Sequence, residues 1–272
     1  MIFTAPVPFK EAVQSRTVRE LLPTEFRTNL LDTIPAELRE RAFFSAGVTN
    51  AEFLQKASDQ IDRMLTGAKA GDGGIDRATA RLELKQLLAS MEYKPAEGEA
   101  GTLTDLSSDD RLNLILDTNL QMAQGYGQWM QGQDPAVLDQ WPAQELIRVI
   151  DSKVPRDWAQ RWTDAGGQFF GGRMIALKND AIWVEISRFG LPYAPFDFNS
   201  GMDVADVDRD DAISLGLIDR DTQIEPQDRG FNDGLEATLG LGNDLARAVQ
   251  ALFGAKAKIE KDGVLRWLGG VA

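Results

Sequence analysis

The sequence predicts an α+β fold, predominantly α-helical, in which a helical N-terminal region is followed by a small α+β module with few short strands. Three observations point to it. Over roughly the first 130 residues, apolar side chains recur at three- and four-residue spacing between capping residues. Near Gln133 this spacing gives way to turn-rich sequence and short apolar runs such as ELIRVI and RMIALK. No run reaches the roughly 18 apolar residues that a membrane-crossing helix needs, so no transmembrane segment is expected. The organisation that follows is a helical domain over 1–132, a small α+β module over 133–220, and a C-terminal helix and tail over 221–272.

Phe9 to Leu22 carries Phe9, Ala12, Val13, Val18, Leu21 and Leu22 at near-helical spacing, and Pro23 stops it. Pro35 suits the first position of a second helix running from Ala36 to Phe44, with Thr33 nearby and Gly47 as its end. VTNAEFLQKASDQIDRML is the cleanest helix. Thr49 or Asn50 caps it, Val48 and Phe53 bracket the cap, and Ala57, Ile61 and Leu65 continue the stripe. A further helix spans Asp76 to Glu92, after the break GDGG (71–74), and a polar loop follows over 94–101. Asp109 to Met130 forms the next helix, its two leading acids matching the positive helix end. Gly125 and Gly127 interrupt it at about 1 kcal/mol each relative to Ala, which close helix packing would explain.

In the second half, GQDPAVLDQWPAQ reads as turns, 145–150 as a strand, and Pro155 as the opening of a helix through Trp158 and Trp162 that Gly166-Gly167 terminates. Arg173 to Lys178 reads as a second strand. Asn179-Asp180 caps a short helix with Ile182, Trp183, Ile186 and Phe189 on one face. VDRDDAISLGL gives a short helix capped by Asp206 or Asp208, and Leu235 to Phe253 a longer one. The last residues, IEKDGVLRWLGGVA, read as a small hairpin or an ordered tail, with Asp262-Gly263 as turn.

Composition removes whole classes of chemistry. The chain of 272 residues holds no Cys and no His, so disulfides, thiol nucleophiles, Cys/His zinc sites and imidazole acid–base mechanisms are excluded. Carboxylate chemistry and oxygen-ligand metals stay open. The net charge of −13 repels a phosphate backbone and does not support DNA contact; it suits solubility or a basic protein partner. MIFTAPVPFKEAV lacks a basic stretch followed by an apolar core, so no secretory signal is expected.

Candidate sites are few. Asp206, Asp208 and Asp210 have the alternate spacing of a calcium loop, but Asp211 stands at the sixth position, where Gly is needed, and Leu217 at the twelfth, where Glu is needed. The helix-cap reading explains the same acids at less cost. Trp158 and Trp162 could stack on a base or sugar, although helical spacing favours core packing. Arg173 beside Gly171-Gly172 could hold a phosphate, although a turn into a strand accounts for it, and no phosphate-loop motif is present. The segment WVEISRFGLPYAPFDFNSGM (183–202) is the most distinctive. Its prolines rule out a regular element, and its aromatics need something to pack against, either their own domain or another protein. Trp183, Phe189, Pro192, Tyr193, Pro195, Phe196, Asp197, Phe198 and Asn199 form this candidate structural or interface motif.

Three segments together resemble one family, the minor head or head-morphogenesis proteins named after the F protein of phage Mu. ERAFFSAGVTNAEFLQKASDQI is similar to their helical start. RLNLILDTNLQMAQGYGQW is similar to their next signature, with Thr118-Asn119, Ala123, Gly125 and Gly127 ahead of the strand ELIRVI. Pro155-Arg156, Gly166-Gly167, Asp180 with Trp183, Pro192 with Pro195, and Asn199 follow the order of their C-terminal module. The chain departs from the many members that carry a His after the first strand and a closing Cys pattern; PFDFNSGM stands in its place. The resemblance covers roughly residues 9 to 217. It implies a non-enzymatic virion component without catalytic, metal or cofactor site. Such a protein would contact portal or major capsid protein during head assembly or DNA delivery, in the virion and, before that, in the host cytoplasm. Residues alone leave a rival from another class, a carboxylate-dependent hydrolase or toxin-like transferase.

Overall fold

A computed structural model describes residues 10–17, 19–21, 23–25, 42–43, 45–66, 74–152, 155–227, 236–238, 257–259 and 264–267. The fold is α+β and helix-rich, with a four-stranded antiparallel sheet. The chain divides into two compact units, Met1–Leu120 with Gly230–Ala272, and Gln121–Arg229.

In the first unit, α1 (Lys10–Thr17) precedes β1 (Glu20–Leu21), which pairs in parallel with β2 (Ala42–Phe43). The first helix is therefore shorter than its apolar spacing suggests. The helix expected over Ala36–Phe44 is corrected at Ala42-Phe43, which is strand; its earlier residues lie outside the described ones. Phe43 is buried, and the Arg16 guanidinium sits 4.9 Å above its ring. α2 (Ala51–Thr66) starts at Asn50, whose side chain accepts the Phe53 amide at 2.8 Å. Its stripe Phe53, Leu54, Ala57 and Ile61 is fully buried, as period 3.6 requires of a core-facing helix. α3 (Arg77–Ser90) is capped by Asp76, which accepts from Thr79. Lys56 and Arg63 of α2 meet Glu83 of α3 and hold its carboxyl below the usual range.

The segment between α3 and the next helix is a run of turns tied by Asp105. Burial pushes this carboxyl up, but the Ser107 hydroxyl and the Gly101 amide outweigh it and hold it low. α4 (Asp109–Gly132) then runs through both glycines without a break, and the division between the units falls within it. β7 (Glu236–Thr238), β8 (Ala257–Ile259) and β9 (Val264–Trp267) form a separate antiparallel sheet in the order β7-β9-β8. Where a small hairpin or an ordered tail is expected, β8 and β9 pair antiparallel, and the Asp262-Gly263 turn lies outside the described residues. Strand β7 corrects the first residues of the helix expected from Leu235, and the remainder of that span lies outside the described residues.

The second unit is built on the sheet β4-β5-β3-β6, formed by β3 (Ala143–Arg148), β4 (Phe169–Phe170), β5 (Arg173–Leu177) and β6 (Met202–Val207). Before β3, Asp134 and Pro135 start α5 (Pro135–Gln140), a helix where the sequence suggested only turns; Asp134 accepts from Ala136 and Val137. Strand β3 begins and ends two residues earlier than expected. Leu146, Met174, Ala176, Met202 and Val204 pack on one face, against α6 (Trp158–Asp164) and α7 (Ile182–Glu185). Ala143, Ile175, Leu177 and Val207 pack on the other, against α8 (Arg209–Ser214) and the residues that follow it. α6 starts at Trp158 behind its cap Asp157, later than the opening expected at Pro155, and α7 is much shorter than the helix expected after Asp180.

Edge strand β6 lies in the acidic stretch that sequence reasoning read as caps. Its Met202 amide donates to Ser200 Oγ at 3.1 Å and its Val204 amide to Asp203 Oδ1 at 2.8 Å.

Candidate functional site

The segment from Trp183 to Gly201 packs inside its own unit. Trp183 starts this packing: its indole N–H donates to the Leu177 carbonyl at 2.8 Å, and its ring stands edge-on to Trp162 with centroids 5.4 Å apart. Trp162 donates to the Gln168 carbonyl at 2.8 Å. A Cβ at Gly167 would overlap the Trp162 indole, which explains the second glycine of that pair. Both Trp158 and Trp162 are buried, so neither offers a stacking platform. Phe196 is fully buried against Trp183, with ring centroids 5.9 Å apart. Phe189 meets Phe198 edge-on at 4.9 Å.

Pro192, Tyr193 and Pro195 are buried too. Tyr193 stands edge-on to Tyr126 at 5.8 Å and lies 6.3 Å from Trp129. One turn earlier on the same helix, a Cβ at Gly125 would run into the Ala194 carbonyl. Close packing is thus found at Gly125, but its neighbour is the aromatic–proline segment and not another helix.

Local hydrogen bonds shape the rest. Ser187 Oγ accepts from the Phe189 and Leu191 amides. The Arg188 amide donates to the Phe196 carbonyl at 2.8 Å, and Ser200 Oγ donates to the Pro195 carbonyl. The Ala194–Pro195 peptide is cis. Phe196 and Asn199 have φ of 58° and 48°. That region suits Asn but is uncommon for a bulky side chain, and at Phe196 it coincides with a ring fully buried against Trp183. Asn199 is the member of the motif that faces solvent, and Phe198 is half-buried.

Asp197 is the charged member, and it is 5 % exposed. Arg156 Nε lies 3.1 Å and Arg161 Nη1 2.9 Å from the same oxygen, Oδ2. Oδ1 accepts the Phe198 amide at 2.8 Å. Arg156 Nη2 donates to the Phe198 carbonyl at 2.7 Å, and the Arg161 guanidinium lies 4.9 Å from the Trp158 ring centroid. Arg161 was not singled out by sequence reasoning. The available signal was Asp197 itself: a carboxylate within an apolar run must find a cation when the run is buried.

The acidic stretch assembles no metal site. Asp206 pairs with the buried Lys178 ammonium at 2.7 Å, and Asp208 caps α8 by accepting from Asp211. Among the described residues no group of three or more acids could hold a metal ion. Arg173 is engaged by Glu145 Oε2 at 2.6 and 3.0 Å, which raises its pKa further. Asp203 differs: burial pushes its carboxyl above the usual range, against the partial relief of the Val204 amide. No helix of the described residues is long and apolar enough to cross a membrane. Set against family models, curated proteins and solved structures, the chain matches none of them.

Proposed function

We propose that the protein is a non-enzymatic assembly component, a minor head protein similar to the Mu F-like family, acting through contacts with portal or major capsid protein. The observation that carries this reading is how the ordered motif residues are used. Gly125 admits the Ala194 carbonyl, Gly167 admits the Trp162 indole, and Trp183 seats Phe196. These positions maintain a packed unit, which is what a scaffold for protein contacts requires. The same unit leaves Val149 and Ile150 side by side in solvent, 52 % and 57 % exposed, just after β3. Exposed adjacent apolar side chains suit a protein interface.

The test is co-purification of the tagged chain with portal and major capsid protein, together with mass spectrometry of purified particles. The expected outcome is capture of one of them, reduced by the double substitution V149D/I150D while circular dichroism stays unchanged. A chain that remains monomeric in the presence of both and is absent from particles overturns the reading. The enzymatic alternative, a carboxylate-dependent hydrolase or toxin-like transferase, has its pointer in the raised carboxyl of Asp203. It requires an activity that Asp203→Asn abolishes without loss of fold.

A further inference from the structure

The second unit holds a donor-rich corner whose chemistry the assembly reading does not use. Two guanidinium groups, Arg156 and Arg161, converge on one oxygen of one buried carboxylate. Each guanidinium has five N–H donors and no acceptor. Arg156 commits donors on Nε and Nη2, to Asp197 and to the Phe198 carbonyl. Arg161 commits Nη1, to Asp197. Asp197 takes both cations on Oδ2 and the Phe198 amide on Oδ1, three of about four acceptor sites. The remaining guanidinium donors find no acceptor among the described residues. Within the clamp itself, two cations meet one anion.

Two further features bear on what could fill these donors. Arg156 and Arg161 side chains are 36 % and 28 % exposed, whereas that of Asp197 is 7 % exposed. Solvent therefore reaches the cations but not the anion that orients them. Trp158, on whose ring Arg161 lies, has a buried indole N–H with no partner.

We propose that this corner binds a small oxyanion of the phosphate class, with Arg156 and Arg161 as its principal ligands and Asp197 as the positioning residue. Guanidinium forks match the spacing of phosphate oxygens and give paired, charge-assisted hydrogen bonds. The chain's overall charge of −13 disfavours a polyanion such as nucleic acid and leaves a small anion as the ligand that pays the least repulsion.

The test titrates the full-length protein with inorganic phosphate at constant ionic strength, following backbone amide shifts by NMR, with chloride as control. Saturable shifts centred on Arg156, Arg161 and Phe198 are expected with phosphate and not with chloride. Arg156→Gln should weaken phosphate about tenfold or more, the worth of one charge-assisted hydrogen bond. Arg161→Gln should weaken it comparably and provides a second variant if Arg156→Gln misfolds. Shifts that rise linearly without saturation, equal response to chloride, or affinity unchanged in both variants would overturn the proposal. Loss of phosphate binding leaves the assembly reading untouched, because that reading is tested by partner capture.

Discussion

Phe196 shows how a single residue can be held against its own backbone preference. Its φ of 58° costs on the order of 1–3 kcal/mol. Its ring is fully buried beside Trp183, and deleting a buried phenyl group typically costs about 3–5 kcal/mol. Packing therefore outweighs strain, and the left-handed turn persists. Asp203 is the opposite kind of residue, one whose charge the fold tolerates at a cost. Burial raises its folded pKa above the unfolded value. The stability linked to it is fully present below the unfolded pKa and is lost as pH rises through the folded one. Asp203→Asn should thus have a higher Tm than the parent at pH 7, with the gap closing as the pH falls below the ordinary carboxylate range. Thermal melts from pH 3 to 7 check this, and a gap that widens toward low pH refutes it.

At the scale of elements, α4 gives the sharpest test, because two of its glycines have different surroundings. At Gly125 a methyl group would meet the Ala194 carbonyl, whereas at Gly132 it would meet Lys178 at ordinary contact distances of 3.7 and 3.8 Å. Gly125→Ala should be destabilising by about 1–3 kcal/mol or more, through overpacking against backbone. Gly132→Ala should be neutral or gain a few tenths of a kcal/mol from helix propensity. Urea unfolding of the two variants distinguishes them, and equal stabilities would contradict the packing account. The same scale shows what was legible beforehand. α2 and α3 could be read because Asn50 and Asp76 stand before periodic apolar stripes, so local signals and burial agree. β6 was hidden because Asp203 and Asp206 interrupt its alternation, and its apolar members are divided between two covered faces. α5 was obscured by Pro135, which reads as a turn yet is compatible with a helix's first turn. In the aromatic segment, apolarity could be read, whereas the Arg161–Asp197 contact could not: 36 positions separate the pair, and only the tertiary fold brings them together.

For the molecule as a whole, the net charge of −13 acts over distances longer than any contact described above. Self-repulsion opposes compactness and is screened over about 8–10 Å at physiological salt. Raising sodium chloride from about 10 to 150 mM should therefore increase Tm, despite the exposed ion pairs such as Lys56–Glu83 that salt weakens. Such pairs contribute little individually, so the global term should dominate; a Tm that falls across this range would show the reverse.

One detail of the four-stranded sheet bears on life at high concentration. An open strand with vacant amides is a template, and any extended segment that drifts past can copy its register. Along β6, the Met202 and Val204 amides are already taken by oxygens of Ser200 and Asp203. A passing strand would have to displace these internal acceptors before gaining a bond of its own. Over these two residues the border is blunted by two short side chains, so crowded copies of the chain meet resistance to zipping along this stretch.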